Sequence, residues 1–157
     1  VSATVLLLLS TSPGAWAKDL QGRVGVGFQA GLDDTAALTV RYGLPVGEAP
    51  MNLIVEAQAG VDLRGSVDDT WTVGLRALYA VVAEDNLNLY AAVGGAWVST
   101  GGYGRFRLQP ALAVEWFGFG LENLGLTAQW GLAIDIGGGV DFRTLGGGPG
   151  LGLHYYF

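Results

Sequence analysis

The chain has 157 residues, 27 of them glycine, with half of the total hydrophobic and 8 Lys and Arg against 14 Asp and Glu. That length suits one domain, and the absence of cysteine excludes a disulfide scaffold, thiolate metal sites and cysteine catalysis. A formal net charge of −6, with Lys18 the only lysine, argues against a nucleic-acid partner, and the wealth of aliphatic and aromatic residues excludes disorder.

The first element is an address. A leucine-rich run, 5–9, leads through small residues to Ala15-Trp16-Ala17, the layout of a secretory signal peptide ending in an A-x-A cleavage site. The run is far shorter than the ~20 apolar residues that a spanning helix needs. Cleavage after Ala17 is therefore expected, with 1–17 as signal peptide and 18–157 as a single barrel domain.

From Leu20 onward the period is two. Leu20, Val24, Val26 and Phe28 alternate with Gln21, Arg23, Gly25, Gly27 and Gln29, which is a strand's pattern. Leu38, Val40 and Tyr42 alternate with Thr39, Arg41 and Gly43 in a second strand. In a third, Val55, Ala57 and Ala59 alternate with Glu56, Gln58 and Asp62. The same split predicts strands over 70–81, 87–97, 105–116, 124–135 and 150–157, giving eight in all. Short turn clusters separate them: Asp33-Asp34, 45–50, 65–69, Glu84-Asp85-Asn86, 99–102, 118–123 and 137–139. An even count of antiparallel strands joined by short links predicts an all-β, eight-stranded antiparallel up-and-down barrel.

Composition decides which face is outside. The polar face is mostly Gly, Ala, Thr and Gln with a few charges, too poor in Lys and Glu to face water. The apolar face carries no ionised side chain in these eight stretches. A lipid-facing wall requires this, because Arg or Lys at the bilayer midplane costs about 2–4 kcal/mol. The aromatics on that face fall into two expected girdles. Trp71, Trp97 and Phe106 lie towards the extracellular end. Tyr42, Tyr79, Trp116, Tyr155 and Phe157 lie towards the periplasmic end, while Trp130 sits mid-strand.

The last residues, Gly152-Leu153-His154-Tyr155-Tyr156-Phe157, resemble the end signal of Gram-negative outer-membrane barrels. Gly152, Tyr155 and Phe157 carry the match, and Gly150 stands where such signals usually have a polar residue. The resemblance implies recognition by the barrel-assembly machinery and residence in the bacterial outer membrane, among lipid and lipopolysaccharide. The architecture over 18–157 resembles the OmpX/Ail group and the OmpA membrane domain, in fold and end signal and not in functional motifs.

The inward-facing charges form the candidate site. Arg23, Arg41, Arg76, Arg105 and Arg107 stand against Glu56, Asp62, Glu115 and Asp135, so that the lumen is nearly neutral. Strand order pairs Arg105 or Arg107 with Asp135 at the outer end. Arg23 and Arg41 are expected near Glu115 at the inner end, with Arg76 and Glu56 nearer mid-depth. A filled, structural lumen is expected, with a narrow ion path as the functional version of the same network.

His154 is the only histidine, and Ser66 and Ser99 lie in or beside outer turns, far from it along the strands. A Ser–His pair must approach to ~3 Å, so no catalytic residue is assigned and the chain is read as a non-enzyme. Asp33-Asp34 and Asp68-Asp69 lack EF-hand spacing, and the glycine clusters do not form a phosphate loop. No metal and no cofactor is expected. The best reading is a monomeric integral outer-membrane barrel with a structural or envelope-maintenance role and at most minor conductance. Its rivals are a lipid A-modifying enzyme and a secreted soluble barrel that binds an apolar ligand.

Overall fold

The computed structural model describes residues 18–30, 36–46, 52–63, 69–118, 120–144 and 150–157. The expected signal peptide, the Asp33-Asp34 turn, Asp68 and Ser66 lie outside the described residues. Ten strand segments follow in order: β1 (Val24–Ala30), β2 (Ala37–Leu44), β3 (Leu53–Asp62), β4 (Thr70–Glu84), β5 (Leu87–Thr100), β6 (Tyr103–Leu108), β7 (Ala111–Phe117), β8 (Leu124–Ile136), β9 (Val140–Thr144) and β10 (Gly150–Tyr156).

These segments occupy eight positions in one antiparallel ring. β6 and β7 lie end to end, since both pair with β5 on one side and with β8 on the other. β9 and β10 share the far edge of β8 in the same way. β10 pairs with both β8 and β1, which closes the sheet on itself. Closure removes the edges that would leave backbone donors and acceptors unpaired. Among the described residues no helix is long and apolar enough to cross a membrane.

The side-chain parity read from the sequence becomes an inside and an outside. Leu38 is 70% exposed and its neighbour Thr39 1%; Leu75 is 62% exposed and Arg76 2%. The exposed wall is built from Val, Leu, Ile, Ala and aromatic side chains, while Arg41, Glu56, Arg76, Arg107, Glu115 and Asp135 on the same strands are buried. Such an arrangement inverts that of a water-soluble domain.

Three local departures have physical causes. The expected single strand 105–116 is interrupted at Gln109-Pro110, where proline has no N–H to give. The ladder nonetheless continues through Gln109 N to Gly94 O (2.9 Å) and Leu132 N to Pro110 O (2.9 Å). β9 extends the last strand beyond its expected start; Val140 and Phe142 alternate there with Asp141 and Arg143, but the five residues stand between two glycine runs and all are exposed. The first strand begins at Val24 and not at Leu20, because Gly22 turns the chain with a φ of 72°. Leu20, expected on the outer wall, is fully buried at the barrel mouth where both described chain ends lie, here the terminal mouth.

The charged lumen as candidate functional site

Register assembles the centre of the lumen. Arg41 on β2 lies opposite Glu56 on β3, and Glu56 lies opposite Arg76 on β4. Three successive strands thus present plus, minus, plus on one rung. Arg41 Nε is 2.6 Å from Glu56 Oε2, and Arg76 Nε is 2.9 Å from Glu56 Oε1. The remaining charge arrives from across the barrel: Arg41 Nη1 donates to Glu115 Oε1 on β7 at 2.8 Å. All four side chains are fully shielded from solvent.

Two tyrosines join Arg41 on Glu115, and Thr127 Oγ1 donates to its Oε1 at 3.3 Å. Tyr156 donates its hydroxyl to Oε1 at 2.9 Å, and Tyr90 donates to Oε2 at 3.2 Å. Tyr156 also accepts from Arg41 Nη1 at 3.1 Å. Two positive and two negative charges, bridged by hydrogen bonds, offset a desolvation penalty of several kcal/mol per ion. Glycine makes the space. A Cβ on Gly94 would sit 2.2 Å from Arg76 Cγ, and one on Gly125 would sit 2.6 Å from Glu115 Oε1.

Next to this centre stands His154, fully buried, with Nε2 2.8 Å from Thr39 Oγ1 and Nδ1 3.3 Å from Thr127 Oγ1. A band of amides follows towards the opposite mouth. In it Gln58 Nε2 donates to Gln109 Oε1 at 3.0 Å, and Arg76 Nη1 donates to Gln129 Oε1 at 2.9 Å. At the opposite mouth Arg107 grips Asp135 with two bonds, 2.5 and 2.9 Å long. Arg105 Nε lies 3.0 Å from the same carboxylate. Arg143 on β9 joins them through its Nη2, a partner that the sequence reading missed together with β9 itself.

The other inward charges lie elsewhere. Arg23, expected beside Glu115, precedes β1 and stays at the rim. There it donates to Asn123 Oδ1 (2.7 Å) and to the carbonyls of Tyr156 (3.0 Å) and Phe157 (3.4 Å). Asp62 ends β3 at the opposite mouth, half-buried. Tyr90 and Tyr156 had the right parity to be found, because both alternate with apolar wall residues. The distance across the lumen to Glu115 had no counterpart in the sequence.

Neither a family model nor a curated protein matches this chain. Solved structures do. The backbone structure of the Yersinia pestis outer membrane protein Ail in a phospholipid bilayer nanodisc is similar at a TM-score of 0.54 and 12% identity, covering 88% of this chain and 100% of that one. The chain has the Ail fold. The crystal structure of Yersinia pestis Ail (TM-score 0.44, 16% identity, 87% and 99% covered) and that of Neisserial surface protein A (0.41, 14%, 86% and 94%) are further matches.

On this Ail-like barrel the exposed aromatics form two tiers. Trp97 lies opposite Phe106, with Trp71 nearby on β4, towards the opposite mouth. Tyr42, Tyr79, Trp116, Tyr155 and Phe157 lie towards the terminal mouth, where the rings of Tyr155 and Phe157 meet edge-on at 5.1 Å. Trp130, 53% exposed, stands opposite Leu112. Gly152 faces the lumen, within 3.3 Å of Gln29 Cγ for an added Cβ. Among the described residues no three His, Cys, Asp or Glu side chains converge as a metal group would need.

Proposed function

We propose that the chain is an integral outer-membrane protein whose lumen is filled by its own ion-pair network and whose role is structural, in maintaining the cell envelope. The observation that carries this reading is the inverted distribution of polarity. The closed wall exposes aliphatic and aromatic side chains all round, while Arg41, Glu56, Arg76 and Glu115 are sealed inside. A barrel wall of this kind is stable in hydrocarbon, where every backbone group must be satisfied internally. The likeness in fold to a protein studied in a phospholipid bilayer supports the same environment.

Export through a signal peptide cleaved after Ala17 belongs to this reading. So does recognition by the barrel-assembly machinery through Gly152, Tyr155 and Phe157, followed by residence as a monomer among lipid and lipopolysaccharide. A non-enzymatic role is supported by His154, whose ring nitrogens face the hydroxyls of Thr39 and Thr127 inside a closed lumen. The interlocked charges favour minor conductance at most, because an ion would have to displace a guanidinium or a carboxylate from its partner.

The test is reconstitution into a planar lipid bilayer with single-channel recording, beside fractionation of expressing cells. Insertion with no resolved current, and recovery in the outer-membrane fraction, is the expected result. Regular current steps would overturn the filled lumen and make Arg76, Glu56 and Glu115 pore-lining groups. Recovery in the soluble periplasm would overturn the membrane assignment.

A further inference from the structure

Before β1 begins, residues 18–22 cross the terminal mouth of the barrel. Starting from Arg23 beside β1 and running backwards, Gly22 N donates to Gly43 O on β2 (2.8 Å). Leu20 N then donates to the Asn52 side-chain oxygen just ahead of β3 (2.9 Å), and Asn52 Nδ2 returns a bond to Lys18 O (2.7 Å). Finally Lys18 N reaches Glu84 O at the end of β4 (3.2 Å). The Lys18 ammonium lies 5.8 Å from the centre of the Phe117 ring and 3.8 Å from Glu122 Oε2. The segment therefore starts at β1, touches β2, β3 and β4 in turn, and ends beside β7.

Its one large apolar side chain points inward. Leu20 has no exposed surface and belongs to a cluster with Ile54, Leu78, Ala80, Tyr90, Phe117 and Tyr156. Tyr90 and Tyr156 are the two tyrosines that hold Glu115. The segment is thus seated directly over the charged centre. The wall is shaped to admit it: a Cβ on Gly43 would lie 1.8 Å from Leu20 O, so only glycine lets the chain pass there.

We propose that residues 18–22 are a displaceable stopper, which closes the terminal mouth with Leu20 and is latched by the Asn52 side chain. Besides the turn at Gly22, it is held by two bonds to Asn52, one bond to the Glu84 carbonyl, the Lys18 contacts with Glu122 and Phe117, and the buried Leu20, and not as a strand of the sheet. The strands beside it are held by ladders of six or more paired residues, as between β1 and β2. Segments with few contacts open at much lower free energy than the fold that carries them. Withdrawal would admit water and small polar solutes from that side to the Tyr90–Glu115–Tyr156–Arg41 layer. The inference rests on the barrel and not on where the barrel resides, so a detergent-micelle experiment tests it separately from the membrane assignment.

Since the chain has no cysteine, Ala80→Cys places a single thiol in the Leu20 cluster. Its reaction with a charged, water-soluble methanethiosulfonate is followed in the otherwise unchanged protein and together with Asn52→Ala, with heat-modifiable gel mobility as the check on folding. Slow labelling alone and labelling at least tenfold faster with Asn52→Ala is the expected result. Equal rates in both proteins would overturn the proposal. If the double variant does not fold, hydrogen exchange on the unmutated protein decides. The amides of Leu20 and Gly22 are expected to exchange through an opening of their own, well before that of Ala113 in β7. Exchange of all three in one global event would mean that the segment is fixed and the proposal wrong.

Discussion

At the scale of single residues, Glu115 carries the most. One carboxylate accepts from Arg41, Tyr156 and Tyr90 with no exposed surface, so removing it leaves the Arg41 guanidinium with Glu56 as its one remaining carboxylate and takes the acceptor from two buried tyrosine hydroxyls. Breaking a buried pair from one side costs about 3–5 kcal/mol. Glu115→Ala is therefore expected to lower the unfolding free energy, read by urea titration of the detergent-solubilised or vesicle-bound protein, by that amount. Glu56→Ala should do the same, since Glu56 sits between Arg41 and Arg76. Asp135→Asn should cost less, because the amide keeps one oxygen for the buried Arg107, and the side chains of Arg105 and Arg143 are 33% and 46% exposed, so that water can take over part of their solvation. The order Glu115 above Asp135 is the point at risk. Gly125→Ala tests the space beneath the network: a methyl group pressed against Glu115 should destabilise by about 1–3 kcal/mol, as overpacking does.

The strand elements show how a period of two is converted into a wall. β4 and β5 have 15 and 14 residues, where a membrane crossing takes about 9–11. Their excess forms the hairpin through Glu84 to Leu87 at one end and the paired Thr70–Thr100 region at the other. Near Ala80 and Val82 the register shifts, and Val81 and Val82 are both exposed, the mark of a bulge. Leu75 lies in the middle of β4 on the exposed face. Leu75→Arg is expected to weaken folding into lipid vesicles by about 2–4 kcal/mol. In a water-soluble barrel the same change on an exposed face would be nearly neutral, so vesicle-folding titrations separate the two environments.

For the whole molecule, closure is the decisive fact. The pairing of β10 with β1 places Tyr155 opposite Val26 and His154 opposite Gly27, and thereby brings Tyr156 within reach of Arg41. If Tyr155 and Phe157 serve assembly, Tyr155→Ala with Phe157→Ala should slow insertion in cells while leaving the purified barrel's urea midpoint nearly unchanged. Both rings are on the outer surface and neither contacts the ion network. Slow insertion accompanied by an equal loss of stability would assign the two rings to packing instead.

The sequence by itself determined the strands, their faces and the inverted polarity, because each depends only on alternation between neighbours along the chain. Thr39 against Leu38 and Arg76 against Leu75 could be assigned from parity alone. Where parity was broken by a turn, as at Leu20, the local signal misled, and in β9 the alternation of Val140 and Phe142 with Asp141 and Arg143 is too short, between two glycine runs, to mark a strand. The tertiary structure decided which inward groups meet: Glu115 with Arg41, Tyr90 and Tyr156, Arg143 with Asp135, and Arg23 with Asn123 at the rim. Those partners are separated by as many as 100 residues, and their meeting depends on the stagger at which the ring closes. A period of two fixes which way a side chain points, but the height at which it arrives in the lumen is set only when the last strand finds the first.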